Sequence, residues 1–214
     1  MKAVSRVTGR ALPLDRANVD TDQIIPSDWL KRIERTGYGA GLFWAWRQDP
    51  SFVLNDARFA GAAVLVTGAN FGCGSSREHA AWALEDHGFR AIIAPSFADI
   101  VRSNCLAVGL VLAELPDADV RRMLAAVRAD PATLITVDVD QLAVEVPALA
   151  YRAAFRMDES SRSRLLAGLD EIDLSLAREL EIAAYEARRP PWLPRVASTG
   201  RASGSSPRAH RAAS

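Results

Sequence analysis

The segment AAVLVTGANFGCGSSREHAAWALEDHGFRAIIA, residues 62–94, decides the fold. Residues 62–66 form a short continuous apolar run, the pattern of a strand buried on both faces. The Gly-rich loop TGANFGCG follows. SSREHAAWALEDHG then reads as a helix, with Ala80, Trp82, Ala83 and Leu84 apolar and Gly88 closing it. Residues 91–94 (AIIA) are a second buried strand. Farther out the alternation continues. Ser96 is placed to cap a helix through FADIVRSNCLAV, which Gly109 ends. Residues 110–115 are strand-like, and 117–129 (DADVRRMLAAVRA) show helical periodicity with an acidic start. Residues 133–146 (TLITVDVDQLAVEV) alternate apolar and polar and read as a two-stranded hairpin. Residues 165–169 and 179–187 read as helical. Strand–helix–strand–helix order predicts an α/β layered domain with parallel strands at its centre, to which the hairpin adds antiparallel β.

The 214 residues suffice for one sizeable domain, and 49% hydrophobic against 24% charged residues predicts a packed core. Basic and acidic residues number 26 each, so no net charge draws the chain to nucleic acid or to an anionic membrane. No apolar run approaches the ~20 residues of a membrane span, and residues 1–10 lack the apolar segment of a leader. A soluble cytoplasmic protein is expected. Two cysteines, Cys73 and Cys105, are too few for a disulfide scaffold, a tetrahedral zinc site or an iron–sulfur cluster. Cluster chemistry, if any, must come from another chain, and no metal ligand is assigned here. The body is read as residues 1–189. Residues 190–214 (PPWLPRVASTGRASGSSPRAHRAAS) lack apolar periodicity and are read as a disordered tail.

The loop after the first buried strand carries the chemistry. Gly68, Gly72 and Gly74 allow positive φ and close backbone approach. The unpaired N–H groups at the following helix start suit a carboxylate. Ser75, Ser76 and Arg77 add two hydroxyls and a guanidinium that can hold a carboxylate with paired hydrogen bonds. A plainer reading stands beside this one, because Ser75-x-x-Glu78 also fits a capping box that merely starts a helix. His79, one turn in, is read as structural, His87 as a favourable charge at the helix end, and Cys73 as no ligand. The loop lacks the Lys of a phosphate-binding GxxxxGK[ST] and does not fit GxGxxG.

These residues, taken with others, resemble a family. GANFGCGSSREHAAWAL (68–84), NVDTDQIIPSDWLKRIERTGYG (18–39), AIIAPSFADIVRSNC (91–105) and RLLAGLDEIDLSL with EIAAYE (164–176 and 181–186) are similar, in order, to the small subunit of 3-isopropylmalate dehydratase. The GSSRE segment is also similar to that of the swivelling domain of aconitase. The resemblance covers residues 1–189 and implies a swivelling β/β/α domain, a central mostly parallel sheet flanked by helices. It implies a hydro-lyase that isomerises 2-isopropylmalate to 3-isopropylmalate through 2-isopropylmaleate, in leucine biosynthesis. It also implies a heterodimer with a large subunit whose [4Fe–4S] cluster acts as a Lewis acid on a small dicarboxylic acid.

Carried over by position, Ser75 matches the catalytic base, which must act as an alkoxide stabilised by Arg77 and the helix N-terminus. Arg77 matches the arginine that binds the substrate carboxylate, and Ser76 a neighbouring contact. Asp22 matches an active-site acid, with an Asx-type turn as its plainer reading. Arg32, or else Arg35, matches an arginine facing substrate, and either could be solvated on a helix. Leu42, Phe43, Trp44 and Trp46 could offer apolar surface to substrate or partner, or pack in the core. The third match departs from the family pattern. Val108-Gly109 and Val111-Leu112 stand where Asn-Gly and Leu-Pro are usual, and Val101 replaces an aromatic. That leaves open a related hydratase acting on citraconate, dimethylmaleate or homoaconitate, and a non-catalytic carboxylate-binding module.

Overall fold

A seven-stranded sheet organises the chain, in the order β4-β3-β2-β1-β5-β6-β7. The strands are β1 (Arg6–Leu14), β2 (Val64–Thr67), β3 (Ala91–Ala94), β4 (Val111–Glu114), β5 (Leu134–Asp138), β6 (Ala143–Val146) and β7 (Tyr151–Ala154). The computed structural model describes residues 1–31, 34, 36–190, 192 and 193. The chain divides into two compact units, residues 1–174 and 175–214.

Strand β1 joins two kinds of sheet, and its burial shows the change. Residues 6–10 pair antiparallel with β5, and there Arg6 and Thr8 are exposed while Val7 is buried. Residues 11–14 pair parallel with β2 and are all buried. A parallel strand is covered on both faces, whereas an antiparallel one can leave a face wet. On one side, β2–β3–β4 continue parallel. On the other, β5–β6–β7 form an antiparallel meander. The parallel centre and the hairpin are as the sequence predicts.

Helices α2 (Glu78–His87) and α3 (Asp99–Val108) make the crossovers from β2 to β3 and from β3 to β4. Both connections advance the same way across the sheet, which puts them on one face. The two helices pack on each other, and α4 (Asp117–Ala129) lies against β1, β2 and β3. Val120, Met123, Leu124 and Val127 repeat at helical spacing on the buried side of α4. Gly88 and Gly109 end α2 and α3 in the left-handed conformation, as expected of closing glycines.

Several local expectations change. Ser96 does not cap α3. That helix starts at Asp99 after Ala98 with no side-chain cap, and Ser96 Oγ instead accepts the Asn70 N–H (2.9 Å). The helical turn read at residues 165–169 is the end of a longer helix, α5 (Glu159–Ala167), capped by Asp158 and stopped by Gly168. The sequence pattern does not predict strands β1 and β7, a one-turn helix α1 (Thr21–Ile24) or α6 (Glu171–Leu176). Nor does it predict the short 3-10 turns within residues 27–31 and 38–59.

In residues 175–214, helix α7 (Glu179–Ala187) matches its predicted range, and Leu180, Ile182 and Tyr185 are exposed on it. Most of the tail read at 190–214 lies outside the described residues.

Candidate active site

Neighbouring parallel strands end at the same edge of a sheet, so the loops after β1 and β2 must meet. They do so through backbone hydrogen bonds. Gly68 donates to Arg16 O, Asn18 to Ala69 O, and Gly72 to Val19 O (3.0, 2.8 and 2.7 Å). Asp20 and Cys73 form an isolated parallel bridge beyond the strands. Two glycines make this approach possible. A Cβ on Gly68 would stand 2.6 Å from Arg16 O, and one on Gly72 2.5 Å from Val101 Cβ.

The stretch Asp20–Asp22 divides its work by residue. Asp20 caps α1: its carboxylate accepts the Gln23 N–H (2.7 Å), and its own N–H donates to Gln23 Oε1 (3.0 Å). This is a capping box. The turn-forming role considered for Asp22 therefore belongs to Asp20. Thr21 is buried; its N–H donates to Cys73 O and its hydroxyl to Ser75 O (3.0 and 2.8 Å). The Asp22 carboxylate stands 2.5 Å from Arg77 Nη1, which also donates to Ile25 O (3.4 Å). Asp22 is 60% exposed and Arg77 only 17%, so the guanidinium is held in place with its charged partner on the solvent side. Its Nε and Nη2 have no protein acceptor among the described residues.

The capping box considered for Ser75 and Glu78 does not form. Helix α2 begins at Glu78 with Arg77 in extended conformation (φ −140°, ψ 108°) at its cap position, and no side chain caps it. Ser75 and Ser76 are exposed, and their hydroxyls have no protein partner among the described residues. The N–H groups of Gly74, Ser75, Ser76 and Arg77 likewise lack protein acceptors among those residues. Four open N–H groups, two hydroxyls and a fixed guanidinium make a surface suited to a carboxylate. Asp22, Ser75, Ser76 and Arg77 are thus gathered at one edge of the sheet. Arg32 and its alternative Arg35 lie outside the described residues.

The flanking aromatics are mostly structural. Leu42 and Phe43 are fully buried, and Trp46 stacks on Phe43 (5.4 Å between ring centroids) beneath the Arg16 guanidinium. Trp44 is exposed and lies 5.6 Å from Trp29. The His79 ring packs against Trp82 and Tyr38 (4.6 and 5.2 Å between centroids), which also touch each other edge-on (5.6 Å). His87 is not a charged helix end: burial, then the nearby Arg47, pushes its pKa down and favours the neutral ring. Cys105 is fully buried and its thiol is pushed up to about 12, while Cys73 is half-buried in the site loop. Among the described residues, no group of three or more His, Cys, Asp or Glu is arranged to hold a metal ion. A cavity of about 390 Å³ lies between α3, β4 and α5, and no residue of the site loop lines it. The cluster is an open surface.

Comparison with known proteins gives the family of the chain. The aconitase C-terminal domain model matches residues 1–118. The 3-isopropylmalate dehydratase small subunit of Parafrankia sp. is 57% identical over 197 residues, which is 92% of this chain and the whole of that protein. The chain belongs to the 3-isopropylmalate dehydratase small-subunit family. A family member from Rubrobacter xylanophilus is 54% identical, again over 92% of this chain and 100% of its own. The crystal structure of 3-isopropylmalate dehydratase from Methanocaldococcus jannaschii superposes with a TM-score of 0.62. It shares 25% identity and covers 84% of this chain and 99% of that one. Membership of the family brings the α/β swivelling fold of the aconitase superfamily. Among the described residues, no helix is long and apolar enough to cross a membrane.

Proposed function

We propose that this chain is the small subunit of a hydro-lyase that converts 2-isopropylmalate to 3-isopropylmalate through 2-isopropylmaleate, in leucine biosynthesis. The observation that carries the reading is the gathering of Asp22, Ser75, Ser76 and Arg77 on an exposed edge, in a chain that matches small subunits end to end. Curated relatives at 52–57% identity bear the same name, so citraconate, dimethylmaleate and homoaconitate are not favoured.

In this reading Arg77, oriented by Asp22, holds a substrate carboxylate through its uncommitted nitrogens, and Ser76 adds a contact. Ser75, as an alkoxide, takes the proton from the carbon next to that carboxylate. The C–H electron pair becomes the C=C bond, and the hydroxyl on the neighbouring carbon leaves with its bonding electrons as hydroxide. Return of hydroxide and of the Ser75 proton, each to the carbon the other left, completes the isomerisation. A free serine is far too weak a base, so Arg77 and the uncapped start of α2 must stabilise its anion.

An open surface cannot exclude water from such a step, and a large subunit closes it. The two cysteines of this chain do not fit a cluster: one is buried and protonated, the other half-buried alone in the site loop. In this reading the [4Fe–4S] cluster belongs to the large subunit, and the heterodimer works in the cytoplasm. The test is co-expression with the large subunit and anaerobic assay of 2-isopropylmaleate hydration. Activity should need both chains, and Ser75→Ala should abolish turnover while the subunits still assemble. Full activity of that variant would refute the mechanism.

A further inference from the structure

Thr21 grips the serine-bearing loop twice, by its N–H to the Cys73 carbonyl and by its hydroxyl to the Ser75 carbonyl, and it is only 2% exposed. No peptide among the described residues is cis. In a planar trans peptide the N–H points opposite to the C=O. Drawing the carbonyls of Cys73 and Ser75 toward Thr21 therefore turns the N–H groups of Gly74 and Ser76 away from it. Those groups are among the donors without a protein acceptor. Gly74 accommodates the turn at φ 93°, a conformation that side chains rarely adopt. The result is a pair of N–H donors flanking Ser75, aimed outward by one buried residue beneath them.

We propose that Thr21 is a positioning residue for proton transfer. Its hydroxyl sets the peptide plane after Ser75, and so fixes the direction of the Ser75 side chain and aims the Ser76 N–H at the negative charge that forms beside it. Removing a proton next to a carboxylate pushes charge into that group, so donors fixed in advance act most strongly in the transition state. The inference rests on the reading of Ser75 as the base.

Thr21→Val keeps the shape and the backbone N–H and removes only the hydroxyl, whereas Thr21→Ser keeps the hydroxyl. Both variants, with Ser75→Ala, are purified as complexes with the large subunit and assayed for kcat and KM on 2-isopropylmaleate, with assembly followed by gel filtration. Thr21→Val should assemble, hold KM within about threefold and lose roughly 10²-fold in kcat, the scale of a small misplacement of reacting groups. Thr21→Ser should stay within about threefold of the parent on both constants. An unchanged kcat in Thr21→Val, an equal loss in Thr21→Ser, an effect confined to KM, or loss of assembly would each overturn the proposal. Ser75→Ala separates the two ideas. If it is active, the serine-base reading falls. If it is dead beside a fully active Thr21→Val, only the role of Thr21 falls.

Discussion

The carboxylate of Asp20 turns back onto its own helix, whereas that of Asp22, two residues on, reaches Arg77 across the gap between two loops. Replacing Arg77 by Lys keeps the charge but loses the planar fork. KM for the dicarboxylic acid should rise about 10-fold or more, matching the loss of one or two charge-assisted hydrogen bonds, as steady-state kinetics of the complex would show. The cysteines should differ as sharply. Iodoacetamide on the folded chain should label Cys73 and spare Cys105, whose buried thiol has almost no thiolate at neutral pH; peptide mass mapping reads the outcome. At this scale the sequence was legible in residue type but not in partner. Asp20 and Asp22 are equally able to cap a turn, and only the approach of the second loop shows which one is left for Arg77. Ser75 and Glu78 had the spacing of a capping box. The box failed because Thr21 holds the Ser75 carbonyl and the chain stays extended through Arg77.

Among the elements, β2, β3, β4 and the hairpin β5–β6 could be read directly because each is a continuous or alternating apolar run. Strand β1 could not. Its sequence RVTGRALPL carries Gly9 and Pro13, and its pattern changes midway because its two halves meet different neighbours. Gly9 is explained by Ala63, whose Cβ would lie 2.8 Å from a Cβ placed there. α1 was hidden for another reason: four residues are too few to show a period, and only the box of Asp20 and Gln23 marks it. Gly72 of the site loop is packed closely against Val101 of α3. Gly72→Ala would add a Cβ 2.5 Å from Val101 Cβ at φ 77°. It should lower stability by about 1–3 kcal/mol, seen as an earlier denaturant midpoint with an unchanged slope.

Across the molecule, the antiparallel half of the sheet is clasped to β1 by Arg6 and the buried Asp138, whose carboxylate also accepts the Gln141 N–H (2.8 Å). Burial alone would raise this carboxyl; the hydrogen bonds from Gln141 and Arg6 outweigh it and hold its pKa below the ordinary value. A depressed native pKa stabilises the fold fully above the unfolded value of about 4 and fades as pH falls through the native one. The urea midpoint of Asp138→Asn should therefore trail the parent at pH 7, and the gap should narrow progressively below about pH 4. His87 adds to the acid sensitivity, since its lowered pKa means stability lost as the ring is forced to charge below its unfolded value of about 6.5. That β1 is paired on both sides has a consequence for how the protein is made. Its residues leave the ribosome before those of either neighbour: β2 follows some fifty residues later, and β5 is synthesised only after β4 and α4. The nascent strand must wait with both edges open, and synthesis at ~5–20 residues per second makes that wait last seconds. The chain thus spends its youth as a client for anything that shields a naked strand, and a pause in translation between β2 and β5 would lengthen that exposure.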